Sequence, residues 1–317
     1  MDSSESLEEL LMMNSEESLD EFLQSIPKVH RWGNNDLVKL NGVGIDPKYV
    51  PNAVRALNDF KPLPNDVILA SFPKTGTTWL KSLLFSITYR SFKESLANIH
   101  PHVLVPTIEV QGFEGFESST HDSRRLYATH TPYQILGSTH DLSNCRIIYI
   151  TRNPKDTLIS MWHFTNKMKD ADGSLPLEEA IENFCSEIIP CGPYYDHVMG
   201  FKTASLEKPE YIFFITYEEL MEDTKTHVKR LAEFLGCPFD KEEEVEEVVK
   251  NCSFDILTSH EVNKSGDFTS WFPVPFSSYF RQRNIGDHKS YLDAKTIEHI
   301  DALTKEKFHG AGFMYGI

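Results

Sequence analysis

Three stretches of this sequence carry residue types and spacings suited to holding anions and moving a proton beside them. The first is Phe72-Pro73-Lys74-Thr75-Gly76-Thr77-Thr78-Trp79, which follows the apolar run Val67-Ile68-Leu69-Ala70 and precedes a helical run from Leu80 to about Tyr89. A strand, a tight loop and a helix together offer a phosphate the free N–H groups and positive dipole end of the helix's first turn. Gly76 permits close backbone approach. Thr75, Thr77 and Thr78 add hydroxyl donors, and Lys74 adds a point charge. The lysine precedes the glycine, so this is not the nucleotide loop G-x-x-x-x-G-K-[ST]. Read alone, the stretch also fits a generic strand-to-helix turn with a surface lysine.

The second stretch runs from Thr151-Arg152-Asn153-Pro154 to Ser160, directly after a strand ending at Ile150. Arg152 and Ser160, two turns apart, suit a second phosphate held by charge-assisted hydrogen bonds. The alternative is an ion pair between Arg152 and Asp156. The third stretch is Phe280-Arg281-Gln282-Arg283-Asn284-Ile285-Gly286-Asp287-His288-Lys289. Its two arginines can close over an anion, although arginine-rich loops are also common on surfaces. Between these groups lies His130, just past another strand. Its reference pKa of about 6.5 suits a general base near neutrality, and the alternative is a satisfied structural histidine.

These residues need elements to place them. Strand-like runs recur at Leu126–Thr129, Arg146–Ile150 and Tyr211–Thr216, and helical stretches fall at 77–92, 155–168, 177–188, 193–205 and 217–235. Near-continuous apolar strands between helices predict an α/β fold, a central parallel sheet with helices on both faces. Ligands of such sheets sit beyond the carboxyl ends of the strands, where the first two groups and His130 fall, while the third lies in a long loop. Residues 30–64 read as an irregular cover with a helix near Tyr49–Phe60. Lys241–Lys250 reads as a solvated amphipathic helix, 262–290 as a lid-like ordered loop, and Ala294 to about Phe308 as the last helix. Residues 1–30 read as an acidic N-terminal arm with helical patches at Leu7-Leu10-Leu11 and Leu19-Phe22-Leu23, and 31–317 as a single domain.

The net charge is −16, which disfavours nucleic acid and anionic membranes as partners and makes clusters of basic residues more informative. The five cysteines form no C-x-x-C pair, so neither a disulfide framework nor a zinc site is expected. The start Met1-Asp2-Ser3-Ser4-Glu5 lacks a basic and apolar leader, and no apolar run is long enough to span a bilayer. A cytoplasmic location is expected. No carboxylate cluster suggests a metal.

Taken together, the motifs resemble those of the cytosolic sulfotransferases. Phe72–Trp79 is similar to that family's 5′-phosphosulfate loop, and Arg152–Asp156 through Ser160 and Trp162-His163-Phe164 to its 3′-phosphate motif. Phe280–Lys289 resembles its C-terminal R-K-G-x-x-G-D-W-K motif. Leu69-Ala70-Ser71-Phe72 and Ala128-Thr129-His130 point to the plant branch. The resemblance covers about residues 65–315. It implies a P-loop-type sulfotransferase fold, 3′-phosphoadenosine 5′-phosphosulfate (PAPS) as donor, 3′-phosphoadenosine 5′-phosphate as product, and a small hydroxylated acceptor, with no metal. Lys74 and the N–H groups of Thr75, Gly76, Thr77, Thr78 and Trp79 would hold the 5′ end. Arg152, Ser160 and Arg281 would hold the 3′-phosphate, with Gln282 and Arg283 in the same loop. Trp79 and Phe254 would flank adenine, and Tyr217 would contact it; core packing is the alternative for these aromatics. His130 would be the base, and Lys74 would meet charge on the leaving phosphate.

Gln282, Arg283 and His288 stand where the family motif has Lys, Gly and Trp. Donor binding with an altered loop shape is expected, and a catalytically weakened binding protein is the competing reading. A P-loop kinase would need a Walker-type loop and a metal-holding aspartate, neither of which is found. Asp293-Ala294 stand in place of the Thr-Val of the animal dimer motif, so a monomer is expected. The acceptor walls are expected in 100–116, near Tyr133 and in 262–276, where Trp271, Phe272 and Phe276 gather.

Overall fold

Alternate residues of the four apolar runs bury their side chains on opposite sides, which is why those runs form a sheet covered on both faces. The computed structural model describes residues 28–33, 35–112, 124–168, 174–267 and 274–317. Its first three strands are β1 (Lys28–Trp32), β2 (Asn35–Leu40) and β3 (Val43–Ile45). The central sheet comprises β4 (Val67–Ser71), β5 (Leu126–Thr129), β6 (Arg146–Thr151) and β7 (Ile212–Thr216). Its order is β5-β4-β6-β7 and every pairing is parallel, with Leu69 opposite Ala128 on one side and Ile148 on the other. Every residue of β4 is buried. Ile68, Ala70 and Tyr149 enter one core layer, and Val67, Leu69 and Ile148 the other.

The helices in chain order are α1 (Val50–Asp59), α2 (Thr77–Thr88), α3 (Pro101–Leu104), α4 (Ile108–Gln111), α5 (Tyr133–Thr139), α6 (Pro154–Thr165) and α7 (Leu177–Cys185). They continue as α8 (Tyr194–Glu207), α9 (Tyr217–Glu222), α10 (Thr224–Phe234), α11 (Glu242–Asn251), α12 (Phe254–Ser259), α13 (Glu261–Lys264) and α14 (Ala294–Lys307). Leu158 of α6, Val198 and Phe201 of α8 and Ile300 of α14 fill the first core layer. Leu80, Leu83 and Leu84 of α2, Leu231 of α10 and Val245 and Val248 of α11 fill the second. Helices therefore cover both faces, as the sequence predicts.

Three expectations change. Residues 28–45 are an antiparallel three-stranded sheet rather than an irregular cover, with Leu40 paired to Val43 across the two-residue loop Asn41-Gly42. Both loop residues have positive φ (49° and 83°), which two-residue hairpins favour. The helix expected over 217–235 breaks at Asp223, whose side chain caps α10 by accepting from Thr226 N. The helix expected over 77–92 ends at Thr88 and continues as a 3₁₀ segment from Arg90 to Ala97. The expected helical patches at Leu7 to Leu23, and Trp271 and Phe272 of the expected acceptor wall, lie outside the described residues.

Candidate active site

The loop from β4 to α2 is shaped by two left-handed residues, Lys74 (φ 70°) and Gly76 (φ 115°). A Cβ on Gly76 would lie 2.9 Å from Tyr217 Cδ2 and 3.0 Å from Ile150 Cδ1, so the position is closed to any side chain. The bond from Leu80 N to Gly76 O starts the α2 ladder and leaves the N–H groups of Thr77, Thr78 and Trp79 for a ligand. The three threonines part company here. Thr75 Oγ1 donates inward to Phe72 O (2.7 Å) and also approaches Ile150 O (3.0 Å), so its hydroxyl ties the loop to the sheet instead of facing a phosphate. Thr77 Oγ1 lies 2.8 Å from Ser71 Oγ, and Thr78 Oγ1 lies 2.9 Å from His102 Nε2.

Lys74 Nζ sits 3.7 Å from the centre of the Phe164 ring and 5.5 Å from that of Tyr279. Burial, then the charges of Arg281, Lys167 and Arg152, pull its pKa down to about 7. An ammonium so placed gains from an anion.

His130 Nδ1 lies 2.7 Å from the Ser71 carbonyl oxygen, which can only accept. Nδ1 therefore carries the proton and Nε2 is left as the basic nitrogen. Burial pulls the ring's pKa down to about 4, so the ring is neutral at physiological pH. Its backbone is clamped from both sides. His130 N donates to Glu109 Oε1, and His197 Nε2 donates to His130 O at 3.0 Å while Tyr149 Oη donates to His197 Nδ1 at 2.9 Å.

Arg152 is buried at the end of β6, where its Nη2 donates to Asn284 O at 2.7 Å and lies 3.5 Å from Asp156. The alternative ion pair is thus present but long, and Arg152 Nε has no hydrogen-bond partner among the described residues. Asp156 instead anchors the arginine loop, accepting from Gly286 N (2.7 Å), His288 N (3.0 Å) and His288 Nδ1 (2.7 Å). Burial would raise the Asp156 pKa, but these donors and Arg152 outweigh it and hold it at about 2. Arg281 pairs with Asp287 at 2.6 Å and its other nitrogen reaches Gln282 Oε1 at 3.3 Å. Arg283 directs Nε at Met221 Sδ (3.0 Å) and lies 5.5 Å over Trp79, while its carbonyl accepts from Tyr217 Oη at 3.4 Å. Its guanidinium therefore flanks the aromatic pair Trp79 and Tyr217, whose rings meet edge-on at 5.7 Å.

One cavity of about 330 Å³ touches Lys74, His130, Arg152, Ser160, Trp79, Tyr217, Phe254 and the Arg281–Arg283 loop. It continues into an apolar end lined by Trp32, Leu37, Val43, Val54 and Ile135 from the small sheet, α1 and α5. Gly76, Thr77, Thr78, Gln282 and Phe280 also line it, and Thr75 does not. Polar residues that the motifs do not announce stand at or beside it: the buried Lys81 and His102 and the part-buried Glu109. The available signal for Lys81 was a lone charge inside the apolar run of α2. Among the described residues no group of three or more His, Cys, Asp or Glu is arranged to hold a metal, and no helix is long and apolar enough to cross a membrane.

The Sulfotransferase domain family model matches residues 64–312. Cytosolic sulfotransferase 17 of Arabidopsis thaliana is 39% identical over 308 residues, covering 93% of this chain and 89% of that protein. Flavonol 4′-sulfotransferase of Flaveria chlorifolia is 40% identical over 278 residues, covering 84% and 86%. The crystal structure of mouse sulfotransferase SULT7A1 complexed with PAP superposes with a TM-score of 0.70 at 25% identity, covering 87% of this chain and 95% of that one.

Proposed function

This chain belongs to the sulfotransferase family, among the plant-type cytosolic members, and on that premise we propose that it moves a sulfuryl group from PAPS to a hydroxyl of a small apolar molecule. The observation that carries the reading is the His130 tautomer facing the same cavity as Lys74. The buried Arg152 Nε without a partner, the open N–H groups of α2 and the aromatic walls Trp79, Tyr217 and Phe254 fit a nucleotide with phosphates at two positions. Arg152, Ser160 and Arg281 hold its 3′-phosphate; Lys74 and the Thr75–Trp79 loop hold its 5′ end.

His130 Nε2 takes the acceptor's hydroxyl proton as that oxygen bonds to sulfur. The bond between sulfur and the bridging oxygen breaks, and its electron pair stays on the phosphate, where Lys74 meets the charge. The products are a sulfate ester and 3′-phosphoadenosine 5′-phosphate. His130→Ala should lower turnover by about 10²–10⁴-fold and leave calorimetric binding of that nucleotide within about twofold. Turnover near wild type would remove His130 from the mechanism.

The apolar end also selects by charge. The lysines and arginines of the lining, Lys74, Arg152, Lys167, Arg281 and Arg283, come from the proposed donor loops and the segment just after α6, whereas its carboxyl groups, Asp46 and Glu109, lie after β3 and on α4. Residues 113–123 and 268–273 contain neither Lys nor Arg. A neutral hydroxyl compound such as a flavonol or steroid is favoured over a carboxylate such as a phenolic acid or hydroxyjasmonate. Competition assays with labelled PAPS and matched acid and methyl-ester acceptors test this, with higher kcat/KM expected for the ester. A cytosolic monomer completes the proposal, and sedimentation checks the monomer.

A further inference from the structure

We propose that Lys81 is a positioning residue for the donor's 5′ end, acting through His102 to fix the Thr78 hydroxyl as a hydrogen donor toward the cavity; this rests on the reading of Phe72–Trp79 as the donor loop. Lys81 is fully buried on α2, and its Nζ lies 3.1 Å from His102 Nδ1 and 2.9 Å from Thr107 Oγ1. Burial pulls the Lys81 pKa down to about 7, so below that pH its Nζ is an ammonium, which only donates, and His102 Nδ1 must accept. The His102 ring is neutral, because burial and then the Lys81 charge hold its pKa well below the usual value. Its remaining nitrogen, Nε2, therefore carries the proton and donates to Thr78 Oγ1 at 2.9 Å. With that lone pair occupied, the Thr78 hydroxyl has its own proton to give, and the residue lines the cavity.

Without Lys81 the His102 ring is free to take the other tautomer. Thr78 then donates to His102 Nε2 and turns lone-pair density toward the phosphate oxygens. The relay thus carries the polarity of a buried cation about two side chains to the ligand. The ionisable groups around it are Glu109, which favours the Lys81 charge, and His100, His130 and Lys74, which share its field.

A double-mutant cycle with 3′-phosphoadenosine 5′-phosphate in calorimetry at pH 6, where Lys81 is charged and the His102 ring still neutral, tests the relay. Lys81→Met should weaken binding about tenfold in the wild-type background and less than twofold in the Thr78→Val background. His102→Gln, whose amide both accepts and donates, should bind within about twofold of wild type, whereas His102→Leu should match Lys81→Met. A purely structural role predicts equal losses in both backgrounds and no rescue by glutamine, and either result overturns the proposal, as does an unchanged affinity for Lys81→Met. If Lys81→Met fails to fold, the Gln and Leu variants of His102 decide alone, equal affinities overturning it. Failure of the wild-type protein to bind the nucleotide would instead overturn the donor-site reading on which the relay rests.

Discussion

His130 is kept neutral by burial and aimed by a single carbonyl. No carboxylate bonds its Nδ1, which distinguishes it from a base that is charged up by an acidic partner. Because its pKa lies near 4, the acid limb of kcat/KM that belongs to His130 should fall well below the ordinary imidazole range of about 6.5. Stopped assays from pH 5 to 8 check this, and a limb centred near 6.5 would contradict it. Lys74 gives the opposite dependence. Its pKa near 7 means that the free protein loses this ammonium as pH rises, so affinity for 3′-phosphoadenosine 5′-phosphate should fall between pH 7 and 9. Lys74→Met should remove most of that slope. At this scale the sequence named His130, Lys74 and Arg152 because loop position and residue type are local properties. It misassigned the Thr75 hydroxyl, whose acceptor Ile150 O lies in another strand.

Each element proposed to hold an anion depends on one backbone or carboxylate device. For the β4–α2 loop it is Gly76, whose φ of 115° and closeness to Tyr217 leave no room for a Cβ. Gly76→Ala should cost about 1–3 kcal/mol of stability by urea unfolding and displace Tyr217, lowering nucleotide affinity with it. For the arginine loop the device is Asp156, which binds two N–H groups and the His288 ring. His288 stands where the family motif carries Trp, and its bond to Asp156 accounts for how the altered loop is still tethered to α6. Asp156→Asn should loosen that tether and weaken nucleotide binding by about tenfold, whereas His288→Trp should retain binding better than His288→Ala. Strands β4 to β7 were legible because parallel buried strands read as apolar runs. The small sheet was not, since its strands are short and its clearest signal was the Asn41-Gly42 pair. The break at Asp223 depends on a cap that a helical pattern overrides on paper.

At the scale of the whole molecule, His100, His102 and His197 are buried and His130 is part-buried, and desolvation holds all four rings neutral. Each takes a proton near pH 6.5 in the unfolded chain but only well below that in the folded one, at about 4 for His130. The stability they contribute is complete above pH 6.5 and is lost as pH falls toward 4, by about 1.4 kcal/mol per pH unit for each ring. Urea midpoints should therefore fall steeply from pH 6.5 to 5. A level midpoint across that range would show that these rings are not held neutral. The acidic composition marked the basic clusters as special, but only the fold shows that they share one rim with the apolar end.

That shared rim has a pharmacological consequence. The proposed donor and acceptor ends belong to one cavity, whose lining includes His130 and Lys74. A single molecule joining an adenosine bisphosphate to an apolar ring by a short linker would occupy both ends at once. The second end would bind as an intramolecular event, so the joined compound should exceed either fragment in affinity by about 10²–10⁴-fold, provided that the linker spans the junction without displacing the His130 ring.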